Sequence, residues 1–207
     1  MRLSARVAAG AVVPVLLLAG CSPEKAGTAS PAPSSPASSG ASSNPDVPKV
    51  ATPLDAAKYE TKPCDIVPAS TLASLRFTDP GTVQQKDDGI GAAGPSCGWK
   101  IHGEGVSMLV IVATGNRDRG VGGLAGLYGA HDRGELPFLE PAPEVEGYPA
   151  IYIDLRDRRA SGHCSMSVGV ADDLAIAVDS GGYQGQQDSC AAAQQVAAAI
   201  ITTLKGA

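Results

Sequence analysis

The sequence predicts an α+β fold: an antiparallel sheet of about five strands, a C-terminal helix packed on one face, and two disulfides. Three observations carry that reading. Cys164, Met166, Val168 and Val170 alternate with Ser165, Ser167 and Gly169, and Leu174, Ile176 and Val178 repeat the pattern after a turn at Ala171-Asp172-Asp173. Period-two alternation is the mark of a half-buried strand. Cys190, Ala193, Ala197, Ile200 and Leu204 then recur at spacings of 3, 4, 3 and 4, and Val196 and Ile201 widen the stripe. That is one apolar face of a helix, which needs an apolar surface to cover. Finally, Cys64, Cys97, Cys164 and Cys190 form an even set in a chain that opens like an exported one.

Arg2 and Arg6 supply a positive start, Val7 to Leu18 is an apolar run broken only by Gly10 and Pro14, and small residues lead to Cys21. Charge, a short apolar core and a small-residue site describe a secretory signal. The run falls short of the roughly 20 residues that a membrane span needs. Leu18-Ala19-Gly20-Cys21 resembles the lipobox of bacterial lipoproteins. The resemblance implies lipidation of Cys21, with palmitate-type acyl chains, and cleavage just before it. Each buried CH2 contributes about 0.8 kcal/mol, so two or more chains anchor stably. The expected location is the extracytoplasmic face of the cell membrane, with lipid on Cys21 as the membrane contact.

The expected domains are residues 1–20 as signal, 21–50 as lipidated cysteine and disordered tether, and 51–207 as one globular α+β domain. In Ser22 to Pro45, 20 of 24 residues are Ser, Pro, Ala or Gly. Such a segment cannot bury enough surface to offset its ordering entropy. Its serines are candidates for O-glycosylation. With about 40 residues before the fold, a flexible chain spans roughly 35 Å. Removing Arg2 and Arg6 leaves 14 Lys and Arg against 21 acids, a net charge of −7. That balance argues against nucleic acid and against adhesion to anionic lipid, both of which want basic clusters.

The fold is expected to start near Thr52. Pro68 to Leu75 reads as a short helix with Pro68 in its first turn and Val67, Leu72 and Leu75 inward. Thr78 to Ser96 reads as a long loop, and Cys97 to His102 as a strand carrying Trp99 and Ile101. Val106 to Thr114 is apolar on both faces, as a central strand covered on both sides would be. A short helix is expected within Gly115–Gly134, and a Pro-broken extended connection over Pro137–Pro143. Tyr148 to Leu155 is a strand, Arg156 to Gly162 a charged hairpin tip, and the two alternating strands complete a meander. Asp188 or Ser189 is expected to cap the last helix.

Four cysteines allow three pairings. Cys64–Cys97 with Cys164–Cys190 closes the two shortest loops, of separations 33 and 26. In the chain-entropy model each bond stabilises by about 3–4 kcal/mol. Cys164 lies on the inward face of its strand and Cys190 on the inward face of the helix, which independently supports that pair. A zinc site is disfavoured because no C-x-x-C occurs.

Pro63-Cys64-Asp65-Ile66-Val67, Ser96-Cys97-Gly98-Trp99, Val145-Glu146-Gly147-Tyr148-Pro149-Ala150, His163-Cys164-Ser165-Met166-Ser167-Val168 and Cys190-Ala191-Ala192-Ala193 together resemble the actinobacterial lipoproteins grouped as domain of unknown function 3558. The resemblance covers about residues 52–205 with the lipobox and tail. It implies an exported, lipid-anchored α+β domain with two disulfides, and no established activity.

No catalytic motif stands out. A serine nucleophile needs a base and an oxyanion site, and the chain has no G-x-S-x-G elbow. His102, His131 and His163 fall beside turns or strand ends. Asp87-Asp88, Asp118 and Asp172-Asp173 lack calcium-loop spacing. Gly120-Val121-Gly122-Gly123 lacks a P-loop lysine. Arg156-Asp157-Arg158-Arg159 is a basic spot that could meet a lipid headgroup or an acidic partner, though such runs more often cap a solvated hairpin. The expected function is therefore a monomeric, non-enzymatic envelope module without cofactor or metal, binding an apolar ligand or an envelope protein. The alternative is an envelope hydrolase or redox protein. A closed cavity between helix and sheet would mark a carrier; an exposed patch would mark a partner-binder.

Overall fold

The computed structural model describes residues 46–84 and 93–207. The expected signal, Cys21 and most of the expected tether lie outside them. Seven strands form one antiparallel sheet: β1 Thr82–Gln84, β2 Ser96–Ile101, β3 Val106–Val112, β4 Phe138–Val145, β5 Tyr148–Asp154, β6 Cys164–Ala171 and β7 Leu174–Gly181. Their order is β1-β2-β3-β7-β6-β5-β4. The helices are α1 Ala57–Thr61, α2 Ala69–Ser74, α3 Thr114–Asp118, α4 Leu124–Asp132 and α5 Gln186–Lys205. The expected class holds, with two strands more than the five expected.

Both additional strands lie at sheet edges. β4 occupies the stretch expected to be a broken connection. Proline cannot donate to a ladder, so an edge strand tolerates it. Pro141 and Pro143 sit in such a strand, and the pairing with β5 slips between Ala142 and Val145. β1 is a three-residue edge inside the expected long loop. Glycines Gly122 to Gly126 hide a second surprise, since the expected single helix is α3 followed by α4. Packing also begins earlier than expected. Val47 lies against the apolar cluster under α4, and Val50 is buried with its N–H donating to Asp172.

α5 covers the first face of the sheet. Val110, Met166, Ile176 and Val178 point at it, all at most 1% exposed. On the helix side Ala193, Val196, Ala197, Ile200, Ile201 and Leu204 expose at most 3%. Burying each large side chain contributes about 1.5–3 kcal/mol. The helix starts before the expected cap. Gly185 precedes it, and the Ser189 hydroxyl donates back to the Gly185 and Gln186 carbonyls instead of capping an N–H.

Disulfides join Cys64 to Cys97 and Cys164 to Cys190. The second staples β6 to α5. Beside it the Ser180 hydroxyl donates to the Ser189 carbonyl at 2.7 Å, closing the same seam. The first ties the 3-10 turn Pro63–Ile66 to β2. There Gly81 passes so close to Cys97 and Trp99 that a Cβ would collide with both.

Candidate functional site

The second face of the sheet is only half covered. Antiparallel register sets its outward residues in rows across the strands. Ile111 on β3, Ala177 on β7, Ser167 on β6 and Ile151 on β5 make one row. Toward α4 the residues stay small: Ala175 and Gly169 pair on the next row. A Cβ at Gly169 would meet the Leu124 side chain at 2.9 Å, so the absence of a side chain is what lets α4 sit down. Leu124, Ile151, Ile153 and Ala175 form the small core there.

The other end of the face is open and more polar. Leu109, Asp179 and Ser165 form one row, and Ser107 pairs with Gly181 on the next. His163, one residue before β6, faces that last row. A carbon at the missing Gly181 Cβ would lie 2.7 Å from His163 Nδ1 and 3.2 Å from Ser107 Oγ. Glycine is therefore what admits the imidazole. Leu136 and Leu155 flank these rows, Leu155 being 68% exposed. Together they bound an open groove of about 430 Å³.

Asp179 sets the electrostatics. It lies on β7, paired on both sides, and is half-buried at the floor of the groove. Burial pushes its carboxyl above the ordinary carboxylate range. The Ser165 hydrogen bond opposes that shift, the Asp154 charge adds to it, and Arg158 weakly opposes it. No cation pairs with Asp179 among the described residues. The Arg158 guanidinium bonds Asp154 at 2.8 Å instead.

A hydroxyl, an imidazole and a carboxylate thus share one face. A catalytic triad needs the carboxylate on the imidazole Nδ1. Here Asp179 faces the Ser165 hydroxyl in its own row, and Nδ1 of His163 lies over Gly181 on the next. The arrangement suits recognition by charge and hydrogen bonding more than proton relay.

The remaining candidates are structural. His131 Nδ1 lies 2.8 Å from the Leu136 carbonyl. His102 is exposed, 3.6 Å from Asp79. Asp172 accepts from Val50 N–H and pairs with Lys49. Asp118 meets Thr114 on α3, and Asp87-Asp88 lie outside the described residues. Gly123 lies against the Leu174 backbone, so the glycine run serves close packing. The basic spot is largely neutralised. Arg159 bonds Asp157 and Glu140 at 2.8 Å each, and stacks over the Phe138 and Tyr152 rings at 4.7 and 5.2 Å. Those bonds hold the Asp157 carboxyl down at about 2. Among the described residues no three ligands gather for a metal.

No sequence motif singles out Ser107, Ser165 and Asp179: Ser165 and Asp179 fall on or beside half-buried strands, and Ser107 falls on a strand expected to be covered on both sides. The one available signal was Asp179 itself, since strands disfavour aspartate at their centres.

A family profile described as "Protein of unknown function (DUF3558)" matches residues 16–203. No curated protein and no solved structure matches the chain.

Proposed function

The chain belongs to the DUF3558 family, and from that premise we propose that it is a non-enzymatic binding module of the cell envelope, anchored by lipid on Cys21 and working through the open half of its second sheet face. The observation that carries this reading is the contrast between the two faces. Behind α5 the interior is solid, which favours a surface site over an enclosed carrier cavity. On the second face α4 covers the small residues and leaves Leu109, Asp179, Ser165 and Ser107 uncovered. A concave site with apolar walls and a few convergent polar groups is the usual form of a binding site.

Against the hydrolase alternative stands the bond from Ser165 to Asp179, which leaves the imidazole without that orienting partner. Against redox chemistry stand the lack of a C-x-x-C pair and, at the second disulfide, burial of both sulfurs' residues, Cys164 being 0% and Cys190 8% exposed.

The test is site-specific photocrosslinking in cells producing the full chain. A crosslinker replacing Leu155, on the groove rim, is compared with one replacing the exposed Thr202 on α5. The expected result is an adduct at position 155 alone, lost when Ser107→Trp fills the groove. An adduct that survives Ser107→Trp, or equal labelling at both positions, would place binding elsewhere.

A further inference from the structure

We propose that the groove takes a primary alkylammonium group, carried by a free amine or by a lysine side chain, seated on the Asp179 carboxylate. The inference rests on the groove being the binding site and names what it recognises.

Asp179 is a half-buried acid at the floor of the groove, with no cation paired to it among the described residues. A carboxylate partly withdrawn from water gains from a cation or further hydrogen bonds. Asp179 has one hydroxyl partner, Ser165, and its register neighbour on the other side is the apolar Leu109. The nearest guanidinium, Arg158, is bound to Asp154 at 2.8 Å. The neighbouring Asp154 charge makes the surroundings more negative still. The chain as a whole is acidic, with formal net charge −5, which steers cations toward such a site.

The shape selects among cations. An ammonium offers three donors in a compact head. Acceptors are the Asp179 carboxylate and the hydroxyl oxygens of Ser165 and Ser107, on adjacent rows of one sheet face. A guanidinium prefers a planar, two-pronged fit to a free carboxylate. Ser165 already holds Asp179, so that fit is compromised. The stem also has a place to lie. Leu109, Ile153 and Leu155 line the same groove, and an alkyl chain covers apolar surface while its charged end stays on polar partners.

The test uses the full chain carrying Cys21→Ser, recovered without detergent, and calorimetric titration with defined probes. Pentylamine is expected to bind at least 10-fold more tightly than pentan-1-ol, the neutral probe of equal length. Asp179→Asn should reduce pentylamine affinity at least 10-fold and leave pentan-1-ol unchanged. Should Asp179→Asn fail to fold, amide NMR on the unsubstituted groove decides, with shifts expected at Leu109, Ser165 and Asp179. A blocked Gly-Lys-Gly peptide separates the sources: binding of the peptide alone means a lysine on a partner, and binding of pentylamine alone means a small amine. Equal binding of amine and alcohol, or no saturable binding of either pentylamine or the peptide, overturns the proposal. If that happens while Ser107→Trp still abolishes the Leu155 adduct, the groove remains the binding site and only its cation preference is wrong.

Discussion

Burial weighs against the charged form of Asp179, so its linkage runs opposite to that of most carboxylates. An unfolded aspartate titrates near 3.9. In the folded chain burial raises that value, so the unfolded state gives up its proton first. Stability contributed by this residue is therefore complete below about pH 4 and falls as pH rises through the raised value. At neutral pH, well above the unfolded value, burial weighs against the folded state. Asp179→Asn should raise the melting temperature at pH 7 by about 2–4 °C, roughly what 1 kcal/mol yields in a domain of this size. The gain should vanish near pH 3 in a scanning fluorimetry series. An unchanged or lower melting temperature at pH 7 would show that the carboxylate is stabilising as it stands. Asp157 has the opposite sign. Bonds from Arg159 hold it at about 2, so its contribution is present above about pH 4 and is lost as pH falls toward 2. On the proposed reading the two aspartates differ in purpose as well as sign. A destabilising charge kept where asparagine would fit is the signature of a site that trades stability for binding.

Among the elements, the staple between α5 and β6 is the interaction most exposed to test. Cys164→Ser with Cys190→Ser releases a loop of separation 26 and should cost about 3–4 kcal/mol. In urea unfolding that appears as a lower midpoint. Cys64→Ser with Cys97→Ser should cost about as much and also change the near-ultraviolet dichroism of Trp99, which packs beside that bond under Gly81. A Trp99 signal altered by the first pair and not the second would invert this assignment. What the sequence made legible follows the same division. β6 and β7 alternate large apolar residues toward α5 with small or polar ones on the other face, and α5 turns one apolar stripe to the sheet, so their periods are clean. β4 was hidden by Pro141 and Pro143, because proline signals a break unless the strand's place at the sheet edge is already known. α3 and α4 were hidden for a different reason. Gly123 and Gly126 approach Leu174 and Asn116 too closely for side chains, so this contact is made by backbone and leaves no apolar stripe to read. The groove escaped notice because Ser107, Ser165 and Asp179 look from the sequence like any solvated strand face. Only the register and the extent of α4 distinguish the half that stays open.

For the whole molecule, the proposed anchor and the acidic head lead to separable behaviour in the membrane. Among the described residues no helix is long and apolar enough to cross a bilayer. On the proposed reading, membrane retention then rests on Cys21, since a head with net charge −7 once Arg2 and Arg6 are removed is repelled by anionic lipid. Two or more acyl chains at about 0.8 kcal/mol per buried CH2 hold against salt but yield to detergent. Fractionation of the producing cells should place the unsubstituted chain in the membrane pellet, resistant to high-salt washing and released by a neutral detergent. Cys21→Ser should move it to the soluble fraction with its melting temperature unchanged, because Cys21 takes no part in either disulfide. Release by salt would mean electrostatic adhesion through residues outside the acidic head, and retention of the Cys21→Ser chain would mean an anchor other than the lipid. The same fractions bear on the groove. On the proposed reading, a flexible tether before the fold keeps the head near the membrane and raises its effective concentration toward any partner there. The Leu155 adduct should therefore weaken in the Cys21→Ser chain if its partner is membrane-bound, and persist at full strength if the ligand is a free amine in solution.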